Sequence, residues 1–262
     1  MLTKIIKFFL GRKGLQPIFE WLQKAALKGM NIGLGSDFST SGEKWVLGYI
    51  KSKIEKKSDI TIFDVGANIG EYTKQIKNIF DNLPLKIYTF EPSKTTFEKL
   101  IQNIGEQKNI YIYNIGFNDK DTTATLYSDK NSSGIASIYQ RNLQHLDTKL
   151  DQMDSIELTT VDNFCTKYSI PHIDFLKIDV EGNELKVLTG AKTMIANGNI
   201  DFIQFEFGGT AIDAHIYFQD FFYLLKDKYK IYRILRNGLK PIMQYSELQE
   251  NFITTNFFAE KK

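Results

Sequence analysis

From residue 58 onward, short continuous apolar runs alternate with stretches whose apolar residues recur at helical spacing. "DITIFDV", "LKIYTFE", "NIYIYNIG", "IDFLKIDV" and "IDFIQFEFG" read as strands, and "YKIYRIL" and "NFFAEK" as terminal strands. Between them, "EYTKQIKNIF", "SKTTFEKLIQNI" and "HIYFQDFFYLLKDK" read as helices, and "EGNELKVLTGAKTMIANG" as a single helix closing on Gly198. Strand-helix-strand order predicts a parallel sheet with helices on both faces. "TATLYS" and "SIELTTV" are expected to join the same open, doubly wound sheet. The polar stretch between them, from Asp129 to about Asp154, has the length of a lid or substrate loop.

Residues 1–57 read as a helical extension and residues 58–262 as one α/β unit. In the extension, "KWVLGYIKSKI" places Trp45, Val46, Tyr49, Ile50 and Ile54 at helical spacing after the loop "GLGSDFSTSGE". The first residues, "MLTKIIKFFLGRKG", are too short for a membrane span. Lys7 breaks their apolar run and no small-residue cleavage site follows, which argues against a signal peptide. Two readings stay open for them: a basic amphipathic helix lying weakly on the inner membrane face, or a helix packed on the domain.

Composition narrows the picture modestly. The 262 residues are 42% hydrophobic and 24% charged, ordinary values for a globular chain. A formal charge of +2 gives no ground for nucleic acid or acidic membrane as the main partner. The single cysteine, Cys165, excludes an internal disulfide framework and a multi-cysteine zinc site, and fits a reducing, cytoplasmic compartment.

The candidate chemistry begins where the first strand runs out. "IFDVGANIGEY" is a strand that stops at Asp64, passes through a turn of Gly66, Asn68 and Gly70, and enters a helix at Glu71. Such turns hold nucleotides at the carboxyl edge of a doubly wound sheet. A dinucleotide site needs a second glycine where this chain has Asn68, and a third where it has Glu71. An acid there suits a cationic ligand better than a pyrophosphate. S-adenosylmethionine, with its sulfonium and ammonium and no phosphate, fits that demand better than NAD. Glu91 ends the second strand, where a carboxylate can accept hydrogen bonds from ribose hydroxyls. Asn114 or Gly116, after the third strand, would flank an adenine.

Asp179, Glu181 and Glu206 fall at or near the ends of neighbouring strands. Crowded carboxylates raise one another's pKa and can yield a base; they could also share a divalent cation, although no metal is predicted. His215 lies close enough to the fifth strand's end to be an alternative base, with a structural role as the other reading. His145 and His172 read as structural or solvated, and Lys177 is expected to reach a carboxylate or the solvent edge.

Together, "FDVGANIGEYT", "TFEPS", "FLKIDVEGNELKVLTGA" and "IQFEFGG" resemble the FkbM family of S-adenosylmethionine-dependent methyltransferases, over about residues 42–259. The resemblance implies a Rossmann-like class I methyltransferase fold, a seven-stranded, mostly parallel sheet with its last strand antiparallel. It implies O-methylation of a hydroxyl on a saccharide, glycolipid or related natural product. By motif, Asp64, Gly66, Asn68 and Gly70 would contact the methionine part of the cofactor, Glu91 the ribose, and Asp179 and Glu181 would stand at the catalytic end of the fourth strand. Rival readings are an NAD-dependent oxidoreductase, which Asn68 and Glu71 oppose; a nucleic-acid methyltransferase, for which the turn "DVEG" lacks proline; and a non-catalytic cofactor-binding or scaffold protein.

Overall fold

The computed structural model describes residues 9–35, 37–129 and 134–262. The N-terminal half of "MLTKIIKFFLGRKG" and residues 130–133 of the polar stretch lie outside these. The strands are β1 (Ile60–Val65), β2 (Leu85–Phe90), β3 (Ile110–Tyr113), β4 (Gly116–Phe117), β5 (Thr122–Ser128), β6 (Gln152–Thr159), β7 (Ile173–Ile178), β8 (Ile200–Phe207), β9 (Tyr229–Leu235), β10 (Gly238–Ile242) and β11 (Thr255–Lys261). The helices are α1 (Gln16–Gly29), α2 (Glu43–Ile54), α3 (Glu71–Ile79), α4 (Lys94–Ile104), α5 (Val161–Lys167), α6 (Glu184–Thr189), α7 (Lys192–Ala196), α8 (Thr210–Ala214) and α9 (Phe218–Leu225). None of the described helices is long and apolar enough to cross a membrane.

The main sheet has the order β3-β2-β1-β7-β8-β11-β9-β10. β3, β2, β1, β7 and β8 run parallel, and β11 is antiparallel to both β8 and β9. This is the expected doubly wound sheet of seven strands with its last strand antiparallel; β10 extends the edge beyond β9 as a hairpin. Every residue of β1 and β7 is buried, as parallel strands covered on both faces must be. Alternate side chains feed two cores. Ile60 and Ile62 join Val46, Leu47 and Ile50 of α2, Ile76 of α3 and Leu100 of α4. Phe63 and Val65 join Phe164 of α5, Leu188 of α6, Ile195 of α7 and Phe221 of α9. The aromatic stretch "YFQDFFYLL" is thus core on its inner face, while Tyr217 is about half exposed.

Three expectations need correction. "TATLYS" and "SIELTTV" do not enter the main sheet. As β5 and β6 they pair antiparallel and form, with β4, a second sheet of order β4-β6-β5. Their residues alternate between buried and exposed along part of each strand, the pattern of a sheet wetted on one face. β6 also begins at Gln152, so the polar stretch is shorter than its composition implies. The long helix after "DVEG" is broken into α6 and α7 at Gly190, where a Cβ would fall 2.1 Å from the carbonyl oxygen of Asn118.

Gly42 caps α2 at φ 94°, a left-handed conformation, and an added Cβ would meet the Leu235 carbonyl oxygen at 2.1 Å. Gly48, within the same helix, has open space around it. Gly42→Ala is therefore expected to destabilise the fold by about 2 kcal/mol or more. Gly48→Ala should stabilise it by up to about 1 kcal/mol. Paired thermal melts of the two variants check both signs.

Candidate active site

The order of strands reverses between β1 and β7, and ligands of doubly wound sheets bind in the crevice beyond that point. Gly66 adopts φ 78°, and its Cα packs so tightly on the neighbouring strand end that a Cβ would lie 1.8 Å from the Asp179 carbonyl oxygen. Asp179 N–H donates to Val65 O at 3.0 Å, and the N–H groups of Gly66 and Ala67 each donate to Phe90 O at 3.0 Å. The turn is thereby pinned to β2 and β7 at once. Asn68 continues it at φ 50°, a conformation that asparagine tolerates better than most residues.

Glu91 accepts hydrogen bonds from Asn68 N–H at 3.0 Å and Ser93 N–H at 2.9 Å. Burial nonetheless pushes its pKa up to about 7. Asn114 donates its amide to the carbonyls of Glu91 and Pro92, at 2.8 and 2.9 Å, and so fixes the chain as it leaves β2. Ser93 in turn caps α4 by accepting from Thr96 N–H.

Over this floor lies a cavity of about 350 Å³. Gly66, Asn68, Glu91, Gly116, Asp179 and Glu181 line it, and Met153, Ile156 and Leu158 of β6 form its roof with Leu126 of β5. Its described lining holds five carboxylates, Glu91, Asp129, Asp154, Asp179 and Glu181, and no lysine or arginine.

The other predicted residues lie elsewhere. Asp64 shares the strand face of Ile60 and Ile62, so it points beneath α3 and not into the cavity. It is fully buried and accepts a hydrogen bond from Thr73 Oγ1 at 2.6 Å. Gly70 packs on Leu100 and Ile104 of α4. Glu71 faces outward and pairs with Lys74 at 3.0 Å, so its charge does not bear on the cavity. Asn114 supports the turn from behind. His215 caps the C-terminal end of α8, exposed, and its ring makes no hydrogen bond or ion pair among the described residues. His172 belongs to an ion cluster at the opposite end of the sheet, with Asp174, Asp201, Lys57 and Lys261. His172, Asp174 and Asp201 are the one described group of possible metal ligands that converge, and the two lysines already neutralise it. Asp179, Glu181 and Glu206 do not converge in that way.

Beneath the crevice Lys177 is buried, its ammonium 3.1 Å from Asp179, 3.8 Å from Asp64 and 4.6 Å from the centre of the Tyr72 ring. Tyr72 OH donates to Gln204, Gln204 donates to Glu43, and Ser41 OH donates to Glu43. Beside it the turn "DVEGNE" holds Glu181 at φ 53°. Glu184 accepts from the N–H groups of Val180 and Gly182, and burial raises its pKa to about 7. Burial and the charge of Asp179 raise Glu181 to about 8, against the pull of Arg141, whose guanidinium lies 3.2 Å from Glu181 and 3.5 Å from Asp213. Glu206, paired with Asn256 in the β8–β11 ladder, has its carboxyl raised well above the usual range through burial and the charges of Asp179, Glu181 and Glu184, and that carboxyl has no hydrogen-bond partner among the described residues. The sequence reading overlooked Glu43, Tyr72, Arg141, Glu184 and Gln204. Only Glu184 had a local signal, a carboxylate placed to fold back on the turn before it.

Comparison with known proteins gives a consistent assignment. Residues 64–232 match the Methyltransferase FkbM domain. The chain is 25% identical over 157 residues to the hexuronic acid methyltransferase AglP of Haloferax volcanii, covering 59% of each protein. It is 21% identical over 146 residues to the 2-O-methyltransferase NoeI of Sinorhizobium fredii, covering 52% of this chain and 59% of that one. The matches thus span about three fifths of each relative. Among solved structures, an FkbM methyltransferase from Methylobacillus flagellatus superposes with a TM-score of 0.47 at 14% identity, over 77% of this chain and 44% of that one.

The raised carboxyls set a pH dependence. Each of Glu91, Glu181 and Glu184 holds its proton in the folded state to a higher pH than the ordinary glutamate value of 4.5. The folded state then binds more protons than the unfolded chain, so stability falls as pH rises from about 4.5 to about 8. The carboxyls with lowered pKa, Asp37, Asp121 and Asp201, act only below that window. Melting temperature is expected to decline across it, and Glu181→Gln to flatten the decline. Melts in a series of buffers test this, and a steady rise in the wild type would contradict it.

Proposed function

The chain belongs to the FkbM methyltransferase domain family, and from that premise we propose that it is an S-adenosylmethionine-dependent O-methyltransferase acting on a hydroxyl of a saccharide, glycolipid or related natural product. The observation that carries the cofactor is the cavity lining, five carboxylates with no basic side chain among the described residues. Glu91 and Glu181 hold their protons to about pH 7 and 8, and Lys177 and Arg141 stand behind Asp179 and Glu181, so the lining selects by its acceptor oxygens: it can accept hydrogen bonds from an ammonium and from ribose hydroxyls, and it offers a pyrophosphate no cationic side chain among the described residues. This replaces Glu71 as the argument against a dinucleotide. The acceptor class is supported by the relatives' names, which specify a hexuronic acid in one case and a 2-O position in the other.

In this reading the turn from Gly66 to Gly70 presents backbone to the methionine part of the cofactor, with Asn68 at the cavity wall. Glu91, already oriented by two backbone N–H groups, takes the ribose hydroxyls. Gly116 and Phe117 flank the adenine. When bound, the cofactor supplies an electrophilic methyl group. The protein's part is to align the acceptor oxygen and to take its proton. Glu206 is the proposed base: it stands near the end of β8, outside the described cavity lining, and close enough to Asp179, Glu181 and Glu184 for their charges to raise its pKa. Asp179 and Glu181 border the acceptor, with Glu181 steadied by Arg141. His215 would have to move to take part. Residues 58–262 form the catalytic unit and residues 1–57 an extension whose α2 completes one core. A single buried cysteine is compatible with a cytoplasmic location.

Calorimetric titration with S-adenosylmethionine, S-adenosylhomocysteine and NADH tests the cofactor. Binding of the first two alone is expected; binding of NADH alone would overturn the reading. Glu91→Gln should weaken cofactor binding by about tenfold, the loss of one charge-assisted hydrogen bond, and lower the melting temperature modestly, because both carboxylate oxygens accept backbone N–H groups and the amide can replace only one of them. Glu206→Gln should lower kcat by about a hundredfold with cofactor affinity retained, the size of a general-base contribution. A fully active Glu206→Gln enzyme removes this residue from the mechanism.

A further inference from the structure

We infer that α1 is an interfacial helix that seats the protein on an anionic membrane surface, at the end of the sheet where the cavity opens. None of its residues is buried. Among the described elements its one substantial contact is with the turn Lys13–Leu15 that precedes it. At 100° per residue, Ile18, Leu22, Ala25 and Gly29 fall along one line, flanked by Trp21 on one side and Phe19 and Ala26 on the other. Gln16, Glu20, Gln23 and Lys24 occupy the opposite arc, which they share with the half-buried Leu27, and Lys28 stands at the edge of the apolar face beside Trp21. The apolar face is bare, with Trp21 66% exposed, Ile18 54% and Leu22 46%. A broad apolar face with a tryptophan and a lysine at its edge and a further lysine on the polar side is the composition of a helix that lies in the headgroup region.

Charge selects the occupant. Residues 1–35 hold six basic residues against the single acid Glu20, a formal charge of +5 in a chain whose total is +2. The rest of the sequence is therefore net acidic, and among the described residues Arg12, Lys13, Lys24 and Lys28 lie on or just before the helix that carries the apolar face. A second copy of this segment would be repelled by like charge, whereas an anionic lipid surface attracts it.

The attachment of α1 gives the contact a direction. Just after the helix, Asn31 donates its amide to Ser41 O at 2.7 Å and Ile234 O at 3.1 Å. Gly33 N–H donates to Thr254 O at 2.9 Å, and Ile32 is buried. Ile234 lies near the end of β9, and Thr254 packs on Gly208 just beyond β8. Both mark the carboxyl end of the parallel strands, the end that carries the cavity. A membrane held by α1 thus lies at the end of the sheet that carries the site, on the β9 and β11 side of it. Presentation of a lipid-borne acceptor there rests on the methyltransferase reading; the membrane contact does not.

The test is vesicle sedimentation of the full chain, with phosphatidylcholine vesicles and with vesicles containing phosphatidylglycerol. Binding to the anionic vesicles, weakened by high salt and absent with the neutral ones, is expected. Trp21→Glu with Leu22→Glu should abolish it, with melting temperature and cofactor affinity unchanged. Lys24→Gln and Lys28→Gln should each weaken it about fivefold. In a Trp45→Phe background, Trp21 fluorescence should shift to the blue on adding anionic vesicles. No sedimentation of the wild type with anionic vesicles overturns the inference, as does equal binding by the Trp21 and Leu22 variant. So does a wild-type dimer in sedimentation equilibrium that this variant dissolves without any vesicle binding, which would make the patch a contact between copies.

Discussion

The site depends on one buried charge. The Lys177 ammonium is almost wholly removed from water, and an unpaired ammonium there would be strongly destabilising. It is satisfied only because three parts of the chain converge on it: Asp64 from β1, Asp179 just beyond β7, and the face of Tyr72 from α3. Glu43, at the start of α2, adds a further negative charge through Gln204. Registers of β1 against β7 and of β7 against β8 follow from this demand, since a shift of one residue would turn Lys177 to the opposite face. Asp179 reaches the cavity wall held by that same ammonium. The position of a residue bordering the cavity is thus fixed by a cation that the cavity itself does not contain.

A second constraint comes from backbone geometry. Gly66 lets the carboxyl ends of β1 and β7 meet main chain to main chain, and the N–H groups freed by the turn go to Phe90 O and to Glu91. Glu91 can therefore be rigid before any ligand arrives. On the other side, Glu184 performs the same service for the turn that carries Glu181. Two turns, each closed by a buried glutamate accepting backbone N–H groups, make the crevice preorganised.

Much of this was legible in the chain. Continuous apolar runs mark the parallel strands because both of their faces are covered, and the glycine turn and Glu91 mark the crevice because sheet topology fixes where strands end. What failed did so for identifiable reasons. Asp64 looks like a ligand-facing residue by its place in the motif, but strand parity sends its side chain under α3. Glu71 stands at the helix start, where an outward rotamer finds Lys74. The partial alternation in "TATLYS" and "SIELTTV" already distinguished them from the buried strands; placing them in the same sheet ignored that periodicity. Arg141 had no local signal, since its partners Glu181 and Asp213 are distant in sequence and meet it only in the folded chain. The break at Gly190 arises from a contact with Asn118, which no local pattern announces.

The roof of the cavity is a small sheet with its own apolar cluster of Leu126, Ile156 and Leu158, apart from the two cores of the main sheet. Its two long strands are held by the antiparallel ladder of β5 on β6 and by that cluster, while Phe117 of β4 ties the sheet to the core that contains Phe63. Roofing the cavity and holding Lys177 are therefore tasks of largely different layers. Mutations accumulating in the hairpin can remodel what the crevice accepts while the scaffold beneath remains intact. A chain built on this plan can reshape the roof of its crevice without first acquiring a reserve of stability.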